Sequence, residues 1–204
     1  MKINKNSLQA RINNFSKEKG VHANVLLVSF FFDAFISRLA KSKYAENFVF
    51  KGGFYLATLL GVQNRYPVTP SDIEYSYRSL IGGETIAFRA YNLETVIAEK
   101  LQTILARGIL NSRCKDFYDI YIIRWLQWDN IDKEYLKKAF EETCGYRKTT
   151  FSKYSATEII EQIASNSILR SRWANYAKKS SFARDVSFDA TIHACRLVIE
   201  TAVT

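Results

Sequence analysis

Apolar positions recur at three- and four-residue spacings through most of the chain, and this period predicts a mainly helical protein. The pattern gives helices at 7–19 (closed by Gly20), 23–41, 93–106 (after the cap Asn92) and 114–126 (with Ser112 as cap). Further helices follow at 133–143 (after Asp132), 156–164, near 168–177, and 188–202. A capping box at Ser155 to Glu158 opens the sixth of these. In the second helix Leu27, Phe30, Phe31, Ala34, Phe35 and Leu39 form an apolar stripe expected to be core. Strand patterns are short. They fall at 48–51 and 85–89, with a short helix at 54–60 between them, and Pro70 argues against a central strand at Asp72. The polar, β-branched stretch 145–154 is the best boundary, dividing a motif-bearing region 1–145 from a helical tail 146–204.

Two helices break their own pattern. In 93–106 the positions Leu93, Val96, Ile97, Leu101, Ile104 and Leu105 make one buried face, and Lys100 stands inside it, about 20° from Leu93. Its ammonium must snorkel outward or meet a buried anion. Helix 114–126 is apolar nearly all round, from Phe117 to Leu126, yet its first turns carry Lys115, Asp116 and Asp119. Buried carboxylates cost several kcal/mol unless paired or bound to metal. Acids in a first turn also complement the helix dipole and pair with Arg113 or Lys115, so a purely structural role stands beside a functional one.

The run Tyr91-Asn92-Leu93-Glu94-Thr95-Val96-Ile97-Ala98-Glu99-Lys100-Leu101 and the run Arg113-Cys114-Lys115-Asp116-Phe117-Tyr118-Asp119-Ile120 resemble the third and fourth motifs of the AbiEii/AbiGii toxin family of nucleotidyltransferases. Phe48 to Ala57, with Lys51-Gly52-Gly53, resembles the first motif, in which a strand delivers a glycine pair into a helix. The family's second motif, an Asp-x-Asp strand, has no clear counterpart: the chain is shortened near 65–66, where Arg65 runs into Tyr66-Pro67. An alternative alignment makes Asp72-Ile73-Glu74 the acidic pair.

The resemblance implies an α+β, mainly helical fold, a reduced nucleotidyltransferase with a stunted sheet and a helical C-terminal part. It implies Lys100, Lys115, Asp116 and Asp119 as catalytic residues, and Lys51, Gly52, Gly53 and Glu99 as nucleotide-binding. A lysine offsets phosphate charge, Asp116 serves as general base or metal ligand, and glycines let backbone N–H groups approach a triphosphate. No metal ligand set is assigned, and Mg²⁺ or Mn²⁺ is expected only if the chain is active. The implied activity is transfer of a nucleotide from NTP to RNA, in particular tRNA, in a toxin–antitoxin or phage-defence system. Loss of the acidic segment would instead leave a noncatalytic remnant that binds RNA or an antitoxin.

Composition narrows this picture slightly. Three cysteines in 204 residues, Cys114, Cys144 and Cys195, fit a reduced, cytoplasmic setting, and two histidines make histidine-centred zinc chemistry a poor fit. No secretion signal is visible, and the apolar run 25–32 is too short to span a bilayer, so no membrane is expected. The net charge of +9 is uneven: residues 1–65 hold 10 Lys or Arg against 3 acids, whereas 66–130 hold 7 against 8. A basic arm beside a near-neutral motif region suits a polyanion such as tRNA. The tail 146–204 shows no recognisable chemistry.

Overall fold

The computed structural model describes residues 4–50, 72–79 and 81–204. It is mainly helical with one small sheet, as the sequence predicts. Contacts divide the described chain into two compact units, residues 4–50 with 72–79 and 81–90, and residues 91–204. Compactness thus changes between Ala90 and Tyr91, and the helices after residue 145 share a unit with those before it.

In the first unit, α1 (Lys5–Lys19) starts at Asn4, whose side chain accepts from Asn6 N, and stops at Gly20, whose φ of 65° is left-handed. α2 (Ala23–Ala40) packs back on it through Ile12 and Leu26, with Ile81 completing a small core. β1 (Asp72–Arg78) pairs antiparallel with β2 (Thr85–Tyr91), and Phe50 adds one parallel bridge to Ala90. The turn between the strands closes by Ser79 N to Glu84 O at 2.8 Å, and Gly83 takes the positive φ of 70° it needs. Tyr75 and Tyr77 point to one face of β1 at the two-residue period and are buried against Phe88.

Two expectations are corrected here. The 85–91 strand pairs with Asp72–Arg78, where no strand was expected, and of the strand expected at 48–51 the described residues show one bridge, at Phe50. Pro70, the residue that argued against a strand at Asp72, lies outside the described residues. The core stripe of α2 is also displaced: Leu26, Asp33, Ile36 and Ser37 are buried, while Phe31 and Phe35 are more than 60% exposed. A polar anchor explains the rotation. Asp33 receives the Tyr77 hydroxyl at 2.5 Å and the Ser79 hydroxyl at 2.6 Å, which turns that side of α2 toward β1. By length and composition α2 could also cross a membrane. The short helix expected at 54–60 lies outside the described residues.

The second unit is a helical assembly: α3 (Leu93–Arg107), α4 (Cys114–Leu126), α5 (Lys133–Tyr146), α6 (Lys153–Ser165), α7 (Ser167–Lys179) and α8 (Phe188–Ala202). Five starts carry side-chain caps, at Asn92, Asp132, Ser152, Asn166 and Ser187. The capping box of α6 sits one turn earlier than expected, between Ser152 and Ser155, so the helix begins at Lys153. α4 begins at Cys114 as expected, but its cap position is Arg113 rather than Ser112, with no side-chain cap, and Asn111 Oδ1 accepts from Arg113 N at 2.9 Å. α8 lies against α4, α5 and α6, burying Ile192, Cys195, Val198 and Ile199. α3 packs on both α4 and α5, which fixes the face carrying Lys100 against the first turns of α4.

Candidate functional site

The ammonium of Lys100 reaches across from α3 to α4. Its Nζ lies 3.0 Å from Asp116 Oδ1 and 2.6 Å from Asp119 Oδ2. Asp116 and Asp119 project together because three residues on a helix return to nearly the same side. Both carboxylates are buried, 3% and 2% exposed. Each also meets a second cation on its own helix: Arg113 Nε is 3.0 Å from Asp116 Oδ2, and Lys115 Nζ is 2.6 Å from Asp119 Oδ1. Of the two outcomes the sequence pattern leaves to Lys100, it takes the second and meets buried anions.

Three cations on two carboxylates leave one formal positive charge. The exposures differ in a useful way. Lys100 is 15% exposed, against 46% for Lys115 and 56% for Arg113, so the outer two can leave the carboxylates for an incoming anion while the inner one stays. Water-facing pairs contribute little and exchange easily, whereas an enclosed pair resists separation.

Nearby titratable groups are held neutral. Burial, and then the Asp119 charge, pushes the Tyr176 phenol up to about 12, and burial raises Tyr118 and the Cys114 thiol. None of them supplies a base or thiolate at neutral pH.

The other expected site residues fall in different places. Glu99 precedes Lys100 on α3, about 100° around the helix axis, and its carbonyl accepts from the Thr103 hydroxyl at 2.7 Å. Lys51, Gly52 and Gly53 lie outside the described residues. β1 contains both Asp72 and Glu74, so the alternative acidic pair does fall on a strand. Sequence reading passed over Glu94, which is 1% exposed and accepts from Asp132 N at 2.9 Å, tying the start of α3 to the cap of α5. Burial raises its pKa above the usual value.

A family model described as the nucleotidyl transferase AbiEii toxin of type IV toxin–antitoxin systems matches residues 66–194. The chain belongs to the AbiEii family. The match spans the whole Lys100, Asp116 and Asp119 cluster and most of the helical unit; the glycine-pair segment 48–57 precedes it. No curated protein and no solved structure matches the chain at a significant level. Membership makes this a nucleotidyltransferase-family toxin component of a toxin–antitoxin system. Nucleotidyltransferases generally use divalent metal ions. The cluster is not built to hold one: its carboxylate oxygens face Lys and Arg, and no group of three His, Cys, Asp or Glu that could bind a metal occurs among the described residues.

Proposed function

We propose that this AbiEii-family chain transfers a nucleotide from an NTP to an RNA acceptor, with tRNA as the acceptor class, as the cytoplasmic toxin of a toxin–antitoxin or phage-defence pair. The observation that carries the reading is the convergence of Lys100, Lys115 and Arg113 on the Asp116 and Asp119 carboxylates. Arg113 and Lys115 move onto phosphate oxygens of the NTP, and Lys100 keeps the two carboxylates in place. The acceptor hydroxyl oxygen attacks the α-phosphorus, pyrophosphate departs, and the hydroxyl proton passes to Asp116 once Arg113 has left it. Glu99, Lys51, Gly52 and Gly53 are proposed to contact the nucleotide. Incubation with labelled NTPs, tRNA and Mg²⁺ or Mn²⁺ tests this. Incorporation lost in Lys115→Ala and Asp116→Ala supports the reading, and no incorporation by the wild-type chain with any NTP removes it.

A second reading is supported by the full engagement of both carboxylates with cations: a noncatalytic member that binds RNA or its antitoxin. It expects salt-dependent tRNA retention without turnover. Absence of retention at low salt counts against it.

A further inference from the structure

The outer side of α4 carries a row of aromatic rings that runs from Tyr118, buried at 8% exposure, out to the open ring of Trp125. The core side of this helix is Phe117, Ile120 and Ile123, all at 2% exposure or less. On another side stand Tyr118, Tyr121 and Trp125, at the i, i+3 and i+7 positions that share a helix face. Tyr118 and Tyr121 have ring centroids 6.5 Å apart, and Tyr121 and Trp125 are stacked at 6.4 Å and 22°. Phe182, from the short turn after α7, extends the row with its ring 4.9 Å from Tyr118, and its carbonyl accepts from the Tyr118 hydroxyl at 3.1 Å. The two ends are open, Trp125 at 73% and Phe182 at 56% exposure.

This row adjoins the ion cluster. Around the α4 axis Lys115 lies between them, about 60° from Tyr118 and about 40° from Asp119. The flanking chain is cationic throughout: residues 167–184 contain five Lys or Arg and no acid. Lys178, Lys179 and Arg184 are exposed and lie within four residues of Phe182 in sequence. Aromatic faces interleaved with cations are the combination that holds a single nucleic-acid strand, since every base has a π-face and every phosphate a charge. We propose that Phe182, Tyr121 and Trp125, backed by the buried ring of Tyr118, form a stacking surface for unpaired bases of the RNA acceptor, leading its end toward Lys115. This deepens the transferase reading and rests on it for the role of the bound strand, while the binding itself is separable.

The test is equilibrium binding of an end-labelled, unstructured short RNA to the full chain, without NTP, followed by anisotropy at low salt. An abasic strand of the same length serves as the comparison. Stacking predicts that the wild-type chain binds the normal strand about tenfold or more tightly than the abasic one. Trp125→Ala and Phe182→Ala should each remove a large part of that difference and leave the abasic affinity unchanged. Both side chains are exposed, so the folded circular-dichroism spectrum should persist. Equal affinity for both strands, unaltered binding in both variants, no RNA binding, or a surface that prefers duplex overturns the proposal. Incorporation assays read the transferase step separately: incorporation with no stacking preference sinks only the surface, and stacking without incorporation sinks only the transfer.

Discussion

Asp33 in the first unit and the pair Asp116 and Asp119 in the second are buried to similar depth, at 4% against 3% and 2%, but their partners are of opposite kinds. Among the described residues Asp33 is met by two neutral hydroxyls, of Tyr77 and Ser79, both within its own unit. The second pair is met by two ammonium groups and a guanidinium. Hydroxyls that hold one geometry make Asp33 a pin between α2 and the hairpin, and burial with that bond raises the Tyr77 phenol pKa, keeping it a donor. Cations of graded exposure make the other site exchangeable at its rim and fixed at its centre. A buried acid held by hydroxyls reads as architecture; one held by more cations than it needs has charge to offer a ligand.

The sharpest way to break this contrast is at Lys100. Lys100→Met removes the counterion shared by both carboxylates and should destabilise the fold by about 3–5 kcal/mol. Urea unfolding followed by far-UV circular dichroism measures it, and Lys100→Arg should recover part of the loss. A cost below about 1 kcal/mol would mean that Arg113 and Lys115 suffice, and the division into fixed and exchangeable cations would be wrong.

At the hydroxyl-held acid the expected loss is smaller. Tyr77→Phe leaves Asp33 Oδ1 buried without its donor, at a cost of about 1–3 kcal/mol. The same unfolding experiment reads it, and nucleotide incorporation should be unchanged. If incorporation falls as far as it does in Asp116→Ala, Asp33 belongs to the chemistry and the contrast dissolves.

Glu94 is a third case, a buried acid with one bond from Asp132 N and, among the described residues, no partner at Oε2. Burial raises its folded pKa above the ordinary value near 4.5. The native state therefore binds more protons than the unfolded state above that pH, so its contribution to stability falls as pH rises through the window. Glu94→Gln keeps an acceptor for Asp132 N and removes the charge. It should be more stable than the wild type at neutral pH, by about 1 kcal/mol, with the advantage shrinking to nothing below about pH 4. Paired melts across that range check the sign; an advantage that grows on acidification contradicts the burial argument.

What could be read from sequence follows from how local each cause is. Helix α4 was legible to the residue because its apolar run and acidic first turn are properties of 114–126 alone, and Lys100 was legible as a charge needing an anion because its face is otherwise apolar. The rotation of α2 was not, since Asp33 finds its donors 44 and 46 residues away. Strand β1 was lost to Pro70, two positions before Asp72 in sequence, which argued against a strand there. The start of α6 was misplaced because Ser152 and Ser155 both have cap chemistry, and only the fold chooses between them. Tyr118 is core as a helix apolar all round suggests, but Trp125 is open, since exposure is decided by what packs against each face.

The smallest structural effect carries the largest functional one. Lys115 is 46% exposed, and Asp119, its partner, keeps Lys100 at 2.6 Å when Lys115 is gone. Lys115→Ala should therefore cost no more than about 1 kcal/mol of stability. If Lys115 is the cation that moves onto phosphate, the same variant should lose incorporation of labelled nucleotide almost completely, and Lys115→Arg should restore part of it because the positive charge returns. Unfolding and incorporation measured on one preparation separate these effects. A variant as unstable as Lys100→Met would show that Lys115 is structural, and a stable variant with full incorporation would show that it never meets the nucleotide.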